Sequence, residues 1–422
     1  MAALTSNYRN VINMIAGGLM WRDQPLPASP AAPVVPGPKY SVTTCVGTQA
    51  LAPHADAIVD LSARALESNP FYEPWMLSSA LGAVVDRDMW FVLIFKNERS
   101  LRPRLCGFFP VVPSASHHRV PVRTFRLLSH MYCFLSVPLV DRDAASEVLQ
   151  QFFSACRSRG VALVEFPRLP SGGAFHQVLV DVLHQQRLAS RIENRYLRAL
   201  YRVPASASSY VAEAWSGRTR KHVRRQRERL AAMGALDYST LETTSDPKAW
   251  LREFLDLEAT GWKGKANTAM ASSATHRQFF MEATAEALER RKILGAALRL
   301  DGRMIAGRIG FRSSEGSYLF KIAYDEQLAA FSPGTLLELH TIEHGLPEGV
   351  EWTDSCTSST NTTFRSLWLH SRIIEHLVVS PGRTSGDLAI GLVPLLRRIG
   401  TLMKRTPATA PTEEGNRVKS IE

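Results

Sequence analysis

The stretch from Tyr318 to Leu339 constrains this 422-residue chain more than any other, because it reads as a strand, a short loop and an abruptly started helix. Tyr318-Leu-Phe-Lys-Ile-Ala-Tyr324 is rich in aromatic and branched residues that suit a pleated, half-buried surface. Ser332 is a good N-cap, Pro333 suits the first helical position, and Gly334 leaves a small, unshielded backbone N–H just inside the helix. Such a helix start attracts an anion, since its first N–H groups and its dipole both favour negative charge. Ser332, Pro333, Gly334 and Thr335 are therefore the candidate cofactor-binding residues.

The same alternation of strand and helix runs through the chain and predicts an α/β (α+β) fold. In the first half, helices are expected over 55–68, from about 73, over 145–159 and over 175–186. Strands are expected over 89–96, 105–112 and 161–166, and a strand pair over 190–203. A second series follows the Pro204–Ser209 linker, with helices over 211–233, 247–261, 275–290 and 333–345 and a closing helix near 361–370. Its strands are expected over 235–241, 293–300, 304–312, 316–324 and 350–353. Similar element order in the two series predicts a duplicated fold, with domains at 40–205 and 206–380. Residues 1–39, with six prolines between Pro25 and Pro38, read as a tail, and 381–422 as a terminal helix and a second tail.

Composition narrows the class. At 45% apolar and 21% charged the chain can bury a sizeable core. A net charge of +11 favours anionic partners. Five widely spaced cysteines give neither a disulfide framework nor a zinc ribbon, so a reducing, cytoplasmic setting is expected. No run of about 18 apolar residues is present, and no spanning helix is expected. The apolar stretch from Val11 to Trp21 contains Asn13 and lacks a clean small-residue cleavage site, which argues against a signal peptide.

Several residue groups around the opening junction have the chemistry for group transfer. Asp354 follows the short strand before it, a position that faces a cleft in α/β folds, and is the first choice for a general base. Lys321 can bind phosphate or polarise a carbonyl, and Tyr324 can protonate a leaving group. Three residues apart on one strand, these two point to opposite faces unless a bulge intervenes. Glu258 ends an amphipathic helix just before Trp262-Lys263-Gly264-Lys265, a basic turn able to close over an anionic or sugar substrate.

The helix from Gly217 to Leu230 packs seven Lys or Arg, with Arg220, Arg224 and Arg227 on one face and Val223 and Leu230 on the other. Its basic face can line a substrate cleft through Arg220 and Arg224, or bind nucleic acid. His340-Thr-Ile-Glu-His344 matches the H-x-x-E-H zinc pattern, but a packing stripe of Leu336, Leu339 and Ile342 already explains that helix, and no metal is expected. Residues 388–405, apolar and then basic, fit either a docked terminal helix or peripheral membrane contact.

Taken in order, Leu257–Met270, Leu300-Asp-Gly-Arg-Met-Ile-Ala306, Lys321-Ile-Ala-Tyr-Asp-Glu326, Phe331-Ser-Pro-Gly334 and Thr353-Asp-Ser-Cys356 resemble a known family. It is the GNAT-type acyltransferase domain of the CelD group of cellulose and exopolysaccharide biosynthesis proteins, relatives of the Fem-type peptidoglycan aminoacyltransferases. Weaker echoes at Asn69–Trp75, Cys106–Val111 and Pro138–Asp141 extend the resemblance over about residues 45–375. The resemblance implies two tandem GNAT-like domains, each a mixed central sheet flanked by helices. It also implies acyl transfer to an amine or hydroxyl of a sugar-linked or cell-envelope precursor. The donor would bind at the Gly334 helix start, with the oxyanion held by backbone near Ile322 to Tyr324. Acyl-CoA, acetyl-CoA first, is the implied donor. Residues 325–334 carry Asp325, Glu326 and a single glycine in place of the usual glycine-rich loop, so an aminoacyl-tRNA donor stays open.

Overall fold

Thirteen strands, twelve of them in a continuous order, form one mixed sheet among the residues that the computed structural model describes, 38–85, 89–97, 102–261, 269–357 and 362–392. The first half contributes β1 (Tyr40–Val46), β2 (Trp90–Lys96), β3 (Arg104–Ser114), β4 (Thr124–Leu127), β5 (Leu139–Val140), β6 (Leu163–Pro170) and β7 (Ser190–Arg202). The second contributes β8 (Leu236–Thr240), β9 (Ile293–Leu300), β10 (Arg303–Arg312), β11 (Gly316–Tyr324), β12 (Trp352–Asp354) and β13 (His370–Val379). Their order is β1-β2-β3-β4-β6-β13-β7-β12-β11-β10-β9-β8, with β5 on β3.

Two differences from the sequence reading matter. The segment 190–203 is one long strand, β7, instead of a pair. The sequence reading also stops at the closing helix and misses β13, which lies antiparallel between β6 and β7. Strands from both halves thus alternate at the centre of the sheet. The β13 sequence His-Ser-Arg-Ile-Ile-Glu-His-Leu-Val-Val mixes charged with branched residues, so its apolar signal is diluted; Arg372, Glu375 and His376 all find ionic partners there.

Helices cover both faces. On one face, α7 (Pro247–Thr260) and α8 (Ala274–Glu289) bury Trp250, Phe254, Phe279 and Phe280 in the same core as α1 (Ala55–Ala63), α2 (Pro74–Ala83) and α3 (Ala145–Ser158) of the first half, with α4 (Ala174–Gln185) beside them. Asp246 caps α7 by accepting from Ala249 N–H at 2.9 Å, and Pro247 occupies its first position. A smaller core on the other face gathers α5 (Ala207–Ala214), α6 (Gly217–Ala231), α9 (Pro333–His344) and α10 (Thr362–Leu367). The expected helix over 211–233 is two helices, because Ser216 breaks it and caps α6 by accepting from Thr219 N–H at 3.2 Å.

The two halves share aromatic packing. Tyr132 stacks on Phe279 at 5.1 Å, Phe134 meets Phe320 at 6.3 Å, and Phe71 meets Tyr318 at 5.7 Å. Each such ring, fully buried, contributes about 1.5–3 kcal/mol relative to an exposed one. Lys292 and Glu73 add an ion pair across the same junction.

Residues 384–392 are helical, with Ala389 packed on Leu163 and Val378 while Leu388 and Leu392 are exposed. The remainder of the expected 388–405 segment, and residues 1–37, lie outside the described residues. No helix among the described residues is long and apolar enough to cross a membrane.

Candidate functional site

The site is made by two strands that part. β12 pairs in parallel with β11 only from Gly316–Trp352 to Tyr318–Asp354, and β11 then runs on to Tyr324. At the start of this ladder the backbones run so close to a side chain that a Cβ on Gly316 would fall 2.1 Å from the Trp352 ring. Only glycine fits there. Where the strands separate, a cleft of about 430 Å³ opens between the end of α7, the β11 edge and the loop after β12. A second cavity of about 190 Å³ lies at the start of α9. The two share Ile322, Ala323, Tyr324 and Phe364, so β11 forms a common wall.

In the larger cleft the sequence-predicted Glu258, Lys321 and Tyr324 come together. The cleft lies at the parted edge of β11, so residues from both faces of that strand line it; pairing is regular from Ile309–Lys321 to Ala306–Tyr324, and Lys321 and Tyr324 keep to opposite faces. Glu258 is 2% exposed; its Oε2 accepts from Met270 N–H at 3.0 Å and its Oε1 lies 3.5 Å from Lys321 Nζ. The Lys321 ammonium also sits 4.9 Å from the centre of the Tyr132 ring. Burial and the Glu258 charge push the Tyr132 hydroxyl up to about 12, so it stays protonated. The sequence reading missed Tyr132, since nothing in Met131-Tyr-Cys133 marks it and only the shared core of the two halves delivers it.

Asp354 occupies a different place from the one expected of a base. It is fully buried, is not among the cleft-lining residues, and lies between the guanidinium groups of Arg198 at 3.6 Å and Arg372 at 3.4 Å. Its Oδ1 accepts from Cys356 N–H at 2.7 Å, fixing a turn in which Cys356 has φ +53°. That turn presents Ser355, Cys356 and Thr357 to the cleft. Burial, with Asp354 nearby, raises the Cys356 thiol well above its usual range and keeps it protonated, unsuited to covalent catalysis. Arg198, itself 1% exposed, donates to the Phe134 carbonyl at 3.0 Å and the Tyr196 hydroxyl at 2.8 Å. Neither arginine is conspicuous in sequence, because both come from central strands, β7 and β13.

The smaller cavity is lined by Ser332, Pro333, Gly334 and Thr335, the residues expected to hold the donor. Ser332 stands at the N-cap position with a left-handed φ of +52°, but its hydroxyl does not cap the helix. It accepts instead from Gln226 at 3.2 Å, a side chain of α6 that also donates to the Ala330 carbonyl at 2.9 Å. No side chain caps the first turn of α9, so the donors at Gly334 and Thr335 face the cavity without an internal acceptor from Ser332. A Cβ at Gly334 would meet only the Tyr324 ring, at 3.9 Å.

The remaining candidates separate from this centre. Arg220 and Arg224 are exposed on α6 and line neither cavity, Arg224 pairing with Glu228 at 3.6 Å. α6 instead serves the site through Gln226, on its buried face with Val223 and Leu230. Trp262, Lys263 and Lys265 lie outside the described residues. The zinc-pattern residues His340, Glu343 and His344 do share a helix face. Each has another partner: His340 stacks on Tyr238 at 3.6 Å, Glu343 pairs with Arg227 at 3.2 Å, and His344 Nδ1 contacts the His340 carbonyl at 3.0 Å.

Comparison with known proteins bears on the fold and on the second half of the chain. Residues 217–362 match the family described as Acetyltransferase (GNAT) domain. No curated protein matches the chain. Among solved structures, FemX is similar at a TM-score of 0.51 and 9% identity, covering 77% of this chain and 95% of its own. A conserved protein of unknown function from Bacteroides thetaiotaomicron VPI-5482 gives a TM-score of 0.47 at 10% identity, covering 77% and 97%. L-PGS from Bacillus licheniformis gives 0.46 at 11%, covering 83% and 97%. The FemX likeness shows the fold, a mixed α/β architecture with helices on the sheet. The match of residues 217–362 to an acetyltransferase domain supports an acyltransferase.

Proposed function

We propose that the chain moves an acyl group from a phosphate-bearing donor at the first turn of α9 to an amine or hydroxyl held beside Glu258 and Lys321. The observation that carries this reading is the common β11 wall, which places the uncapped helix start and the buried Glu258–Lys321 pair on two cavities that share Tyr324. Residues 40–205 act as the framing half and 206–380 as the transferase half.

In the reaction, Glu258 takes the proton as the acceptor nitrogen or oxygen attacks the acyl carbon. The Lys321 ammonium and backbone N–H groups of the Ile322–Tyr324 wall stabilise the developing oxyanion. The carbon–sulfur bond of a thioester donor breaks, and Tyr324 gives its proton to the departing thiolate. Asp354 shapes the wall through Cys356 and takes no proton. Acetyl-CoA is the donor of first choice, because a single uncapped helix start suits a pyrophosphate. The acceptor class is a sugar-linked or cell-envelope precursor, as the resemblance to the exopolysaccharide and Fem-type groups implies, and the few dispersed cysteines keep the cytoplasm as the expected compartment.

Gly334→Val tests the donor site. The added methyl groups crowd the cavity mouth without meeting backbone, so the apparent KM for acetyl-CoA is expected to rise by on the order of tenfold, about 1.4 kcal/mol, with the thermal midpoint nearly unchanged. Thiol release measured with a panel of amino sugars and nucleotide-linked sugars gives both quantities; an unchanged KM removes the donor assignment.

One observation favours a second reading. The outer face of α6 exposes Arg218, Arg220, Lys221, Arg224 and Arg225 together, a stripe suited to a phosphate backbone, which fits an aminoacyl-tRNA donor or a nucleic-acid-binding role. On this reading tRNA binding weakens steeply with salt, and Arg224→Ala with Arg225→Ala flattens that dependence by about two phosphate contacts. If tRNA shows no salt-dependent binding, this reading is discarded.

A further inference from the structure

Apart from the transferase cleft, a second polar centre is built on β6, β7 and β13. His117 is 5% exposed; its Nδ1 lies 2.8 Å from Glu165 Oε1, and its Nε2 lies 3.2 Å from Glu193 Oε1. His118 directs its Nε2 at the same carboxylate, 3.1 Å from Oε1 and 2.8 Å from Oε2. His376 Nε2 is 3.2 Å from Glu165 Oε2, its Nδ1 is 3.8 Å from Glu193 Oε2, and Arg126 Nε is 3.7 Å from Glu165 Oε2. The Glu193 side chain is 4% exposed although it belongs to the rim of a long strand.

Backbone irregularities bring these groups together. The pairing of β13 with β7 skips Glu193, matching His376 to Asn194 and Leu377 to Ile192. The pairing of β13 with β6 shifts between Glu375 and Leu377, at the same level. Bulges re-aim side chains in this way. Across from them, His118 and Arg119 both take left-handed backbone angles, φ +48° and +70°, in the turn closed by the His117–Val120 bridge. The result is an open cavity of about 580 Å³ lined by His117, His118, Glu165 and His376, with no lining residue in common with the transferase cleft.

Two carboxylates facing His117 favour a positive charge at this point, which either a second proton on that ring or a bound cation supplies. If His117 gives its Nδ1 proton to Glu165, its Nε2 presents a lone pair to Glu193, and so does an Nε2-unprotonated His118. Three electron-pair donors then converge, all within 4.8 Å of one another. We propose that His117 Nε2, His118 Nε2 and the Glu193 carboxylate bind a divalent transition-metal ion, with Zn²⁺ the best fit. Two imidazoles and one carboxylate form a common ligand set for such ions, and tetrahedral zinc needs ligand atoms about 3.3 Å apart. The 3.1 and 3.2 Å spacings from Glu193 Oε1 lie close to that edge. Glu165 holds the His117 ring from behind, the carboxylate–histidine–metal arrangement that fixes the tautomer and orients the ligand. With three protein ligands and an open cavity, water fills the fourth position.

The test uses the full chain, stripped with a chelator and titrated with Zn²⁺ against a chromophoric competitor. One tight equivalent is expected, with His118→Ala and Glu193→Gln each weakening it at least tenfold and Glu165→Gln weakening it on the order of 10–100-fold. His118 is 35% exposed, so His118→Ala leaves the fold intact and isolates ligation from folding. Co²⁺ in place of zinc should give the intense visible bands of tetrahedral coordination, lost in His118→Ala. A double His340→Ala, His344→Ala variant should keep the equivalent. The proposal is overturned if no zinc is retained, if Glu193→Gln binds as tightly as the parent, or if only the His340/His344 variant loses the metal; the first outcome identifies a centre held by protons alone.

Discussion

Glu258→Gln is expected to lower kcat by on the order of 10²–10⁴-fold while leaving the unfolding free energy within about 1 kcal/mol of the parent. The amide keeps the side-chain volume, and its oxygen can still accept from Met270 N–H, a 3.0 Å bond in the parent. What it removes is the capacity to take a proton and the charge facing Lys321 at 3.5 Å. Lys321→Met should lose turnover to a similar degree and, unlike Glu258→Gln, also lose stability, because it removes the ammonium that faces the buried Glu258 carboxylate at 3.5 Å. Removing one partner of a buried pair costs about 3–5 kcal/mol. Steady-state kinetics and urea unfolding on the same preparations separate the two effects. Turnover of Glu258→Gln within threefold of the parent would move the base elsewhere.

The second large effect concerns Asp354. If it were the base, Asp354→Asn would abolish turnover in a protein of unchanged stability. Its position argues for the reverse order. The carboxylate is fully buried between Arg198 and Arg372, and its replacement by a neutral amide leaves two guanidinium groups without their counter-charge. We expect Asp354→Asn to lose about 3–5 kcal/mol of stability while retaining measurable turnover below its transition. Arg198→Met, which removes a side chain 1% exposed, should destabilise more than Arg372→Met, whose side chain is 18% exposed. Full stability with no turnover in Asp354→Asn would restore it as the base.

These two residues show what a sequence discloses and what it withholds. The element order of the second half was readable because its strands and helices carry strong local signals: β11 is apolar and aromatic, and α7 and α9 begin with proline behind a polar residue. Lys321, Tyr324, Glu258 and the Gly334 helix start were therefore singled out, and they line the two cavities that share β11, Lys321 and Tyr324 from opposite faces of that strand. Asp354 was found but its surroundings were not, since its partners come from β7 and β13, each far away along the chain. β13 itself has charged residues at positions that a buried strand would fill with apolar ones, because each charge is paired across the sheet. The Tyr132 contact and the His117–Glu193 centre likewise depend on long-range pairing and on backbone irregularities that periodicity cannot reveal. The exposed basic face of α6 was legible, but its direction relative to the cleft was not: the residue that reaches the site is Gln226, on the buried side.

A crystal structure of the chain with coenzyme A tests the central claim most directly. The account predicts the pyrophosphate within hydrogen-bonding distance of the Gly334 and Thr335 N–H groups, and the thiol arm running along Ile322–Tyr324 toward the Glu258–Lys321 pair. Coenzyme A bound away from α9, or absent at saturating concentration from a preparation that still transfers acyl groups, would contradict it.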